Sequence, residues 1–166
     1  MEARAKLLGH SIHQMLIAFP LGLLVTAIVF DALHLAMRGP TFALVSYWLI
    51  AAGIISGIAA AVFGLIDWLG IPGGTRAYRV GAWHGLGNVV LLLLYAASWI
   101  VRANGDPGTP SGWAMLLSLV GAGVGLVTSW LGGELVDRLG VGVDDGAHLD
   151  APSSLRGKPA AERPRR

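Results

Sequence analysis

Four apolar stretches dominate this chain and leave it few folds to choose from. They cover residues 12–37, 42–69, 81–101 and 113–136, and each is about 20–28 residues long. A helix rising 1.5 Å per residue needs about 20 residues to cross the ~30 Å hydrocarbon core of a bilayer. Lipid offers no hydrogen-bond partner to the backbone, so a segment that crosses it must be helical. The sequence therefore predicts an all-α protein with four transmembrane helices.

Glycine and proline separate these stretches. Arg38-Gly39-Pro40 follows the first stretch, residues 70–74 (GIPGG) follow the second, and residues 104–108 (NGDPG) follow the third. Connections this short place consecutive helices side by side and antiparallel. We expect an up-down-up-down bundle over residues 1–143. Residues 144–166 are polar and contain several prolines, which predicts a disordered tail.

The positive charges indicate how the bundle is oriented. Cytoplasmic loops of membrane proteins carry an excess of Lys and Arg. One side of the predicted bundle holds ten of the 12 basic residues, which are Arg4, Lys6, Arg76, Arg79, Arg138, Arg156, Lys158, Arg163, Arg165 and Arg166. Only Arg38 and Arg102 lie on the other side. We expect a bacterial inner-membrane protein with both termini in the cytoplasm, in contact with lipid and not with nucleic acid.

Polar side chains inside the apolar stretches gather near that cytoplasmic side. Ionisable groups are costly within a membrane and usually pair, line a cavity or bind a ligand. The group consists of His10, His13, Asp67, His84, Asn88 and Glu134. Only Asp31 and His34 lie near the opposite side, where their spacing suggests a local contact. The convergence of six polar groups from four helices predicts a site.

An internal echo suggests that the bundle is built from two similar halves. Residues 64–70 (GLIDWLG) resemble residues 125–132 (GLVTSWLG). Each of these segments ends a helix whose predecessor begins with a histidine, His13 in one case and His84 in the other. Two parallel helix-hairpin repeats would be related by an axis along the membrane normal. His13 and His84 would then be equivalent and would face each other across that axis.

The same motifs resemble a known family. They are Gly9-His10-Ser11-Ile12-His13 with Phe19-Pro20, residues 65–69 (LIDWL), residues 71–76 (IPGGTR), His84 with Asn88, and residues 130–136 (WLGGELV). Together they are similar to the bacterial membrane family called domain of unknown function 2231, over about residues 9–143. The resemblance implies a four-helix membrane protein. Some members are fused to Rieske-type iron–sulfur domains, which implies an electron-transfer neighbourhood.

The chain departs from the family pattern at three positions. The family often has prolines after the first two histidines and a third histidine just before Phe-Pro. Ser11, Gln14 and Ala18 occupy those positions here. A site that required the third histidine would be altered or absent.

Each polar residue also has a purely structural interpretation. His10 and His13 lie three residues apart on one helix face, where they could bind lipid headgroups or backbone amides. Asp67 could pair with Arg76 or Arg79, and Glu134 with Arg138. These ion pairs could coexist with orienting a ligand histidine.

Three functions remain open. A b-type haem would use His13 and His84 as axial ligands, with His10 as the alternate and Asn88 beside His84. At most one haem is expected, and it would need a quinone or iron–sulfur redox partner. A non-haem metal ion would draw on the nitrogen and oxygen ligands of His10, His13, His84, Asp67 and Glu134. The third function is a cofactor-free accessory or scaffold subunit of a membrane complex or homo-oligomer.

Several chemistries are disfavoured. The chain has no cysteine, which excludes disulfides, thiolate metal ligands, iron–sulfur ligation and covalent c-type haem attachment. No nucleophile-base-acid triad, P-loop or dinucleotide fold is recognisable. The sequence favours a redox carrier or accessory subunit over a stand-alone enzyme, and it nominates no catalytic residue.

The charge asymmetry gives a direct test of topology. Reporter domains fused at the C-terminus and inserted at Gly105 should localise to opposite sides, with the C-terminal reporter in the cytoplasm. A periplasmic C-terminal reporter would reverse the orientation and move the polar cluster to the other face.

Overall fold

Four long helices make up most of the part of the chain that the structure describes, as the sequence predicted. The computed structural model describes residues 1–156, so residues 157–166 of the predicted tail lie outside the described part. The helices are α1 (Ile12–Leu16), α2 (Ala18–Met37), α3 (Pro40–Trp68), α4 (Arg76–Ala103) and α5 (Gly112–Gly133), and a π-helical turn over Glu134–Arg138 extends the last one. Within residues 1–156, four spans are long and apolar enough to cross a membrane: Ile12–Met37, Pro40–Trp68, Arg76–Ala103 and Gly112–Arg138. Two short antiparallel strands, β1 (Lys6–Leu7) and β2 (His10–Ser11), precede them.

The helix boundaries differ from the apolar stretches for identifiable reasons. α4 begins five residues before residue 81, where the Thr75 hydroxyl accepts a hydrogen bond from the Tyr78 backbone N–H. Such a cap fixes a helix start even when the first turn is polar. The first span is interrupted at Ile17. Pro20 has no N–H to donate to the Leu16 carbonyl, which removes a backbone bond at that point.

The N-terminal segment is joined to the chain that follows α5. The Lys6 ammonium contacts Asp144 at 2.5 Å and Glu2 at 2.7 Å. These two carboxylates, Asp144 foremost, raise the pKa of Lys6 above its ordinary value. The Gly142 N–H donates to the Met1 carbonyl at 2.9 Å. Asp144 and Ser154 therefore lie against the N-terminal segment, and the disorder predicted for residues 144–166 stays a prediction.

The helices pack as two hairpins with closely matching contacts. A Cβ at Gly53 of α3 would meet Leu24 of α2, and a Cβ at Gly121 of α5 would meet Tyr95 of α4. Leu24 and Tyr95 are 71 positions apart, and the two glycines are 68 positions apart. The first hairpin (α2 and α3, with α1) and the second hairpin (α4 and α5) thus repeat one packing arrangement.

This repeat has a different register from the one read from the sequence. The motif comparison aligned Gly64 with Gly125, whereas the contacts make Gly64 equivalent to Gly132. The two registers differ by seven residues, or about two helical turns. A shift of two turns keeps the glycines on the same helix face, so the shifted alignment also matches glycine with glycine.

A buried ion pair joins the two hairpins at the end where α2 and α4 finish. The Arg102 guanidinium donates to both Asp31 carboxylate oxygens, at 2.9 and 2.6 Å. The side chain of Arg102 is 0% exposed and that of Asp31 is 7% exposed. Three serine hydroxyls surround the pair, one each from α3, α4 and α5: Ser46, Ser98 and Ser118.

Two expectations about this end were wrong. Asp31 pairs with Arg102 of α4 and not with His34, whose ring nitrogen Nδ1 donates to the Gly39 carbonyl at 3.0 Å. Arg102 is a fully buried helical residue and not a loop cation, because α4 continues to Ala103. The pair neutralises both charges inside the bundle.

Breaking this pair should cost much of the protein's stability. Asp31→Asn leaves the buried Arg102 charge unbalanced, and we expect a loss of about 3–5 kcal/mol of unfolding free energy. Denaturation in mixed micelles would measure it. The matched control is Asp137→Asn at an exposed position, where a change within about 0.5 kcal/mol is expected. Equal unfolding midpoints for the two variants would contradict the assignment.

Candidate functional site

Two of the predicted site residues, His13 and His84, lie next to each other. Their ring centroids are 6.4 Å apart, and the ring planes are nearly perpendicular, at 89°. His13 lies in α1, and His84 lies near the start of α4. The two rings therefore face each other between the hairpins, at the opposite end of the bundle from the Asp31–Arg102 pair.

Both rings are held in the same way. Nδ1 of His13 donates to the Ala60 carbonyl of α3 at 2.9 Å, and Nδ1 of His84 donates to the Thr128 carbonyl of α5 at 2.9 Å. A carbonyl oxygen can only accept, so each Nδ1 carries the proton. In a neutral imidazole the other nitrogen, Nε2, then bears a free lone pair. Both histidines are thus fixed in the tautomer that can bind a metal through Nε2.

Two equivalent glycines make room for the rings. A Cβ at Gly64 would lie 2.8 Å from Cε1 of His13, and a Cβ at Gly132 would lie 3.2 Å from Cε1 of His84. Each glycine follows by four residues the residue whose carbonyl holds the same ring. The glycine and the carbonyl therefore form a paired seat for each imidazole.

Asn88 makes the two seats unequal. Its side-chain N–H group approaches Nε2 of His84 at 3.1 Å and also donates to the His84 carbonyl at 3.0 Å. The repeat places Ile17 at the corresponding position of the first hairpin, where no side-chain hydrogen bond is possible. A ligand at Nε2 of His84 must displace Asn88, whereas Nε2 of His13 has no corresponding amide.

Asp67 binds backbone and not arginine. Its Oδ1 atom accepts the N–H groups of Arg4 and Ala5 at 2.7 and 3.0 Å, and its Oδ2 atom accepts the Ser11 hydroxyl at 3.4 Å. The proposed pairing with Arg76 or Arg79 is therefore wrong. Asp67 is buried and ties the N-terminal segment to the end of α3.

Glu134 and His10 also lie apart from the histidine pair. Glu134 accepts from Arg76 at 2.6 Å, and not from Arg138 as the spacing suggested. His10 is exposed on β2 with Nδ1 3.3 Å from the Leu8 carbonyl. Within residues 1–156 no three His, Asp or Glu side chains come together in a way that could hold a metal ion. The five-residue metal set is consequently not assembled, and only its two central histidines meet.

The sequence reasoning missed the buried pair, although a signal was present. Asp31 and Arg102 are separated by 71 residues, the same spacing as His13 and His84. Two pairs of polar residues with one spacing would have aligned the hairpins correctly. The carbonyls of Ala60 and Thr128 left no such signal, since a backbone group has no sequence signature.

Fold and site together define a small four-helix membrane protein with a two-histidine centre near one end. A family model described as a predicted membrane protein, DUF2231, matches residues 9–145, more than half of the chain. The chain belongs to this family, as its motifs suggested. No curated protein and no solved structure matches it.

The glycine seats can be tested by adding a single methyl group. Gly64→Ala pushes a Cβ into the His13 ring, and we expect a loss of about 1–3 kcal/mol of unfolding free energy, as for other overpacked cores. The control is Gly85→Ala in α4, where the new Cβ meets no atom within 4 Å. That variant should be neutral or up to about 1 kcal/mol more stable. Identical behaviour of the two would show that His13 does not occupy the seat.

Proposed function

We propose that His13 and His84 together ligate one redox-active metal centre, and that the protein transfers electrons within a membrane complex. The observation that carries the proposal is the matched state of the two imidazoles. Each donates Nδ1–H to a backbone carbonyl at 2.9 Å. Metal-binding histidines almost always donate their second ring nitrogen in this way, because it fixes the tautomer and raises the basicity of the ligating nitrogen.

The separation of the rings suits a shared ligand. Metal–imidazole bonds are about 2.0–2.1 Å long, so two Nε2 atoms on one ion lie roughly 3–4 Å apart, depending on the angle between the two bonds. The 6.4 Å between the ring centroids leaves room for such a bridge. Since the histidines come from different hairpins, a shared metal would also join the two halves.

The chemistry of the ligands narrows the choice of metal. The protein has no cysteine and so no thiolate donor, and the two ligands proposed here are imidazole nitrogens. Imidazole suits copper, iron, nickel and zinc. Copper and iron are the two of these that commonly cycle between oxidation states in proteins, so they fit an electron-transfer function.

Close packing at the rings favours a compact ion over a haem macrocycle. Gly64 and Gly132 lie directly against the imidazoles, and Gly57 lies against Leu92. Two open grooves of about 430 and 300 Å³ lie elsewhere, the first at Gly112–Leu116 and the second at the N-terminal strands. A b-type haem would use the same two histidines, with Asn88 displaced from His84, but the helices would have to separate to admit it.

A centre near one face of the membrane needs an electron partner. A quinone dissolved in the lipid or an iron–sulfur protein at the surface would serve, and the family resemblance favours the iron–sulfur protein. The four apolar spans themselves contact the lipid bilayer. A larger membrane complex would supply such a partner, and a homo-oligomer stays the alternative assembly.

An accessory subunit without a cofactor is the second candidate. The Asp31–Arg102 pair with its three serines shows that polar groups in this bundle can be satisfied by one another. The histidine pair would then be a structural element whose rings are held by two carbonyls. In that case the protein would stabilise a complex without taking part in electron transfer.

Metal content and absorption spectra of the detergent-purified protein separate these candidates. Wild type supplied with copper, iron or haem should retain about one equivalent, and His13→Ala and His84→Ala should each lose it. His10→Ala is the matched control and should retain it, since His10 lies outside the pair. An intense Soret band would identify haem, and its absence with bound copper or iron would identify a non-haem ion.

Two results would contradict the proposal. If the folded wild-type protein takes up neither haem nor metal, the accessory function is the one that remains. Retention of the metal by the His13→Ala, His84→Ala double variant would place the site elsewhere. Thermal melting of every variant in detergent would confirm that a loss of metal is not a loss of fold.

A further inference from the structure

The buried ion pair occupies equivalent positions of the two hairpins. Asp31 in α2 and Arg102 in α4 are 71 residues apart, as are Leu24 and Tyr95. Contacts with equivalent glycines established that spacing independently of any charged residue. The repeat thus brings one position of each hairpin to the same place, and the chain puts opposite charges there.

The equivalence determines what would happen if like hairpins paired. Two copies of the first hairpin in the same geometry would bring Asp31 against Asp31. Two copies of the second would bring Arg102 against Arg102. An unbalanced charge buried at low dielectric is strongly unfavourable, whereas the opposite pair is neutralised and hydrogen-bonded. Only the pairing of a first hairpin with a second hairpin places opposite charges at this position.

No other described polar contact between the hairpins disfavours the pairing of like hairpins as strongly. The histidine pair at the other end places a like residue on each side, and neutral imidazoles tolerate each other. The Tyr95 hydroxyl donates to the Leu24 carbonyl at 3.2 Å, a contact that two second hairpins would retain, because every residue has a carbonyl. The ion pair between Lys6 and Asp144 also links the two halves, but it lies outside the hairpins. Among the described contacts between the helices of the two hairpins, the Asp31–Arg102 pair is therefore the one that distinguishes the halves by charge.

We infer that the Asp31–Arg102 pair selects the partner of each hairpin, so that each half fits any unlike half, that of a second copy as well as that of the same chain. The loop from Leu69 to Thr75 joins the hairpins and favours pairing within one chain. The surface through which one hairpin contacts the other is defined by the charged pair and by the close glycine contacts. This inference does not depend on metal binding.

Charge reversal in the full-length chain tests the selection. Asp31→Arg and Arg102→Asp each place like charges together, and each should lower the amount of folded protein in the membrane by about tenfold or more. The double variant with both reversals restores opposite charges and should recover most of the wild-type level. Failure of the double variant to recover would mean that the local serine network and not charge complementarity is required, and would overturn the inference.

Co-expression of the two single variants tests the partner surface. The Asp31→Arg chain has two arginines at the pair, and the Arg102→Asp chain has two aspartates. If hairpins exchange between copies, each arginine meets an aspartate of the other chain. Differently tagged copies should then accumulate together and co-purify in detergent.

The matched control for co-expression is Asp31→Arg with wild type. Exchange between these two chains still leaves one Arg–Arg pair, so the variant should stay at its low level. Absence of mutual rescue between the two single variants would show that a hairpin accepts only its own chain, and would overturn the inference. Normal accumulation of either single variant alone would do the same.

Discussion

A carboxylate and a guanidinium withdrawn from water hold the two halves of this bundle in one arrangement. Asp31 and Arg102 come from α2 and α4, and serines of α3, α4 and α5 complete their hydrogen bonds. Lipid cannot replace any of these bonds, so separating the halves exposes two charges to a medium that does not solvate them. The rest of the bundle packs through glycines, which allow close approach but distinguish partners weakly. Charge supplies the specificity that this packing lacks.

The histidine centre depends on the same arrangement. His13 and His84 belong to different hairpins, and each ring is seated by a glycine and a carbonyl of its neighbouring helix. Their approach to 6.4 Å exists only while the hairpins are correctly paired. The ion pair at one end and the histidine pair at the other thus belong to the same pairing of the hairpins.

The motifs near the histidines illustrate how far sequence reasoning reached. It correctly placed four helices, the family and the facing of His13 and His84. It misplaced the partners of Asp67 and Glu134, because it favoured arginines close in sequence. Asp67 accepts instead from the distant backbone amides of Arg4 and Ala5, and Glu134 accepts from the distant Arg76. It also took Arg102 for a loop residue, since a cation after an apolar stretch resembles the end of a span. The errors at Asp67 and Glu134 concern contacts between elements distant in sequence, and the error at Arg102 concerns where a helix ends.

By itself the sequence determined which segments lie in the membrane and that each is helical, because hydropathy is a sum over about 20 neighbouring residues and the backbone must satisfy itself locally. Only the tertiary structure decided which polar atoms meet. That outcome depends on the rotation of each helix about its axis and on the register between helices. A shift of two turns leaves the sequence pattern almost unchanged, yet it changes every pair of facing residues. In the register that the structure adopts, Asp31 contacts Arg102 and His13 faces His84. The same register also allows the close glycine contacts.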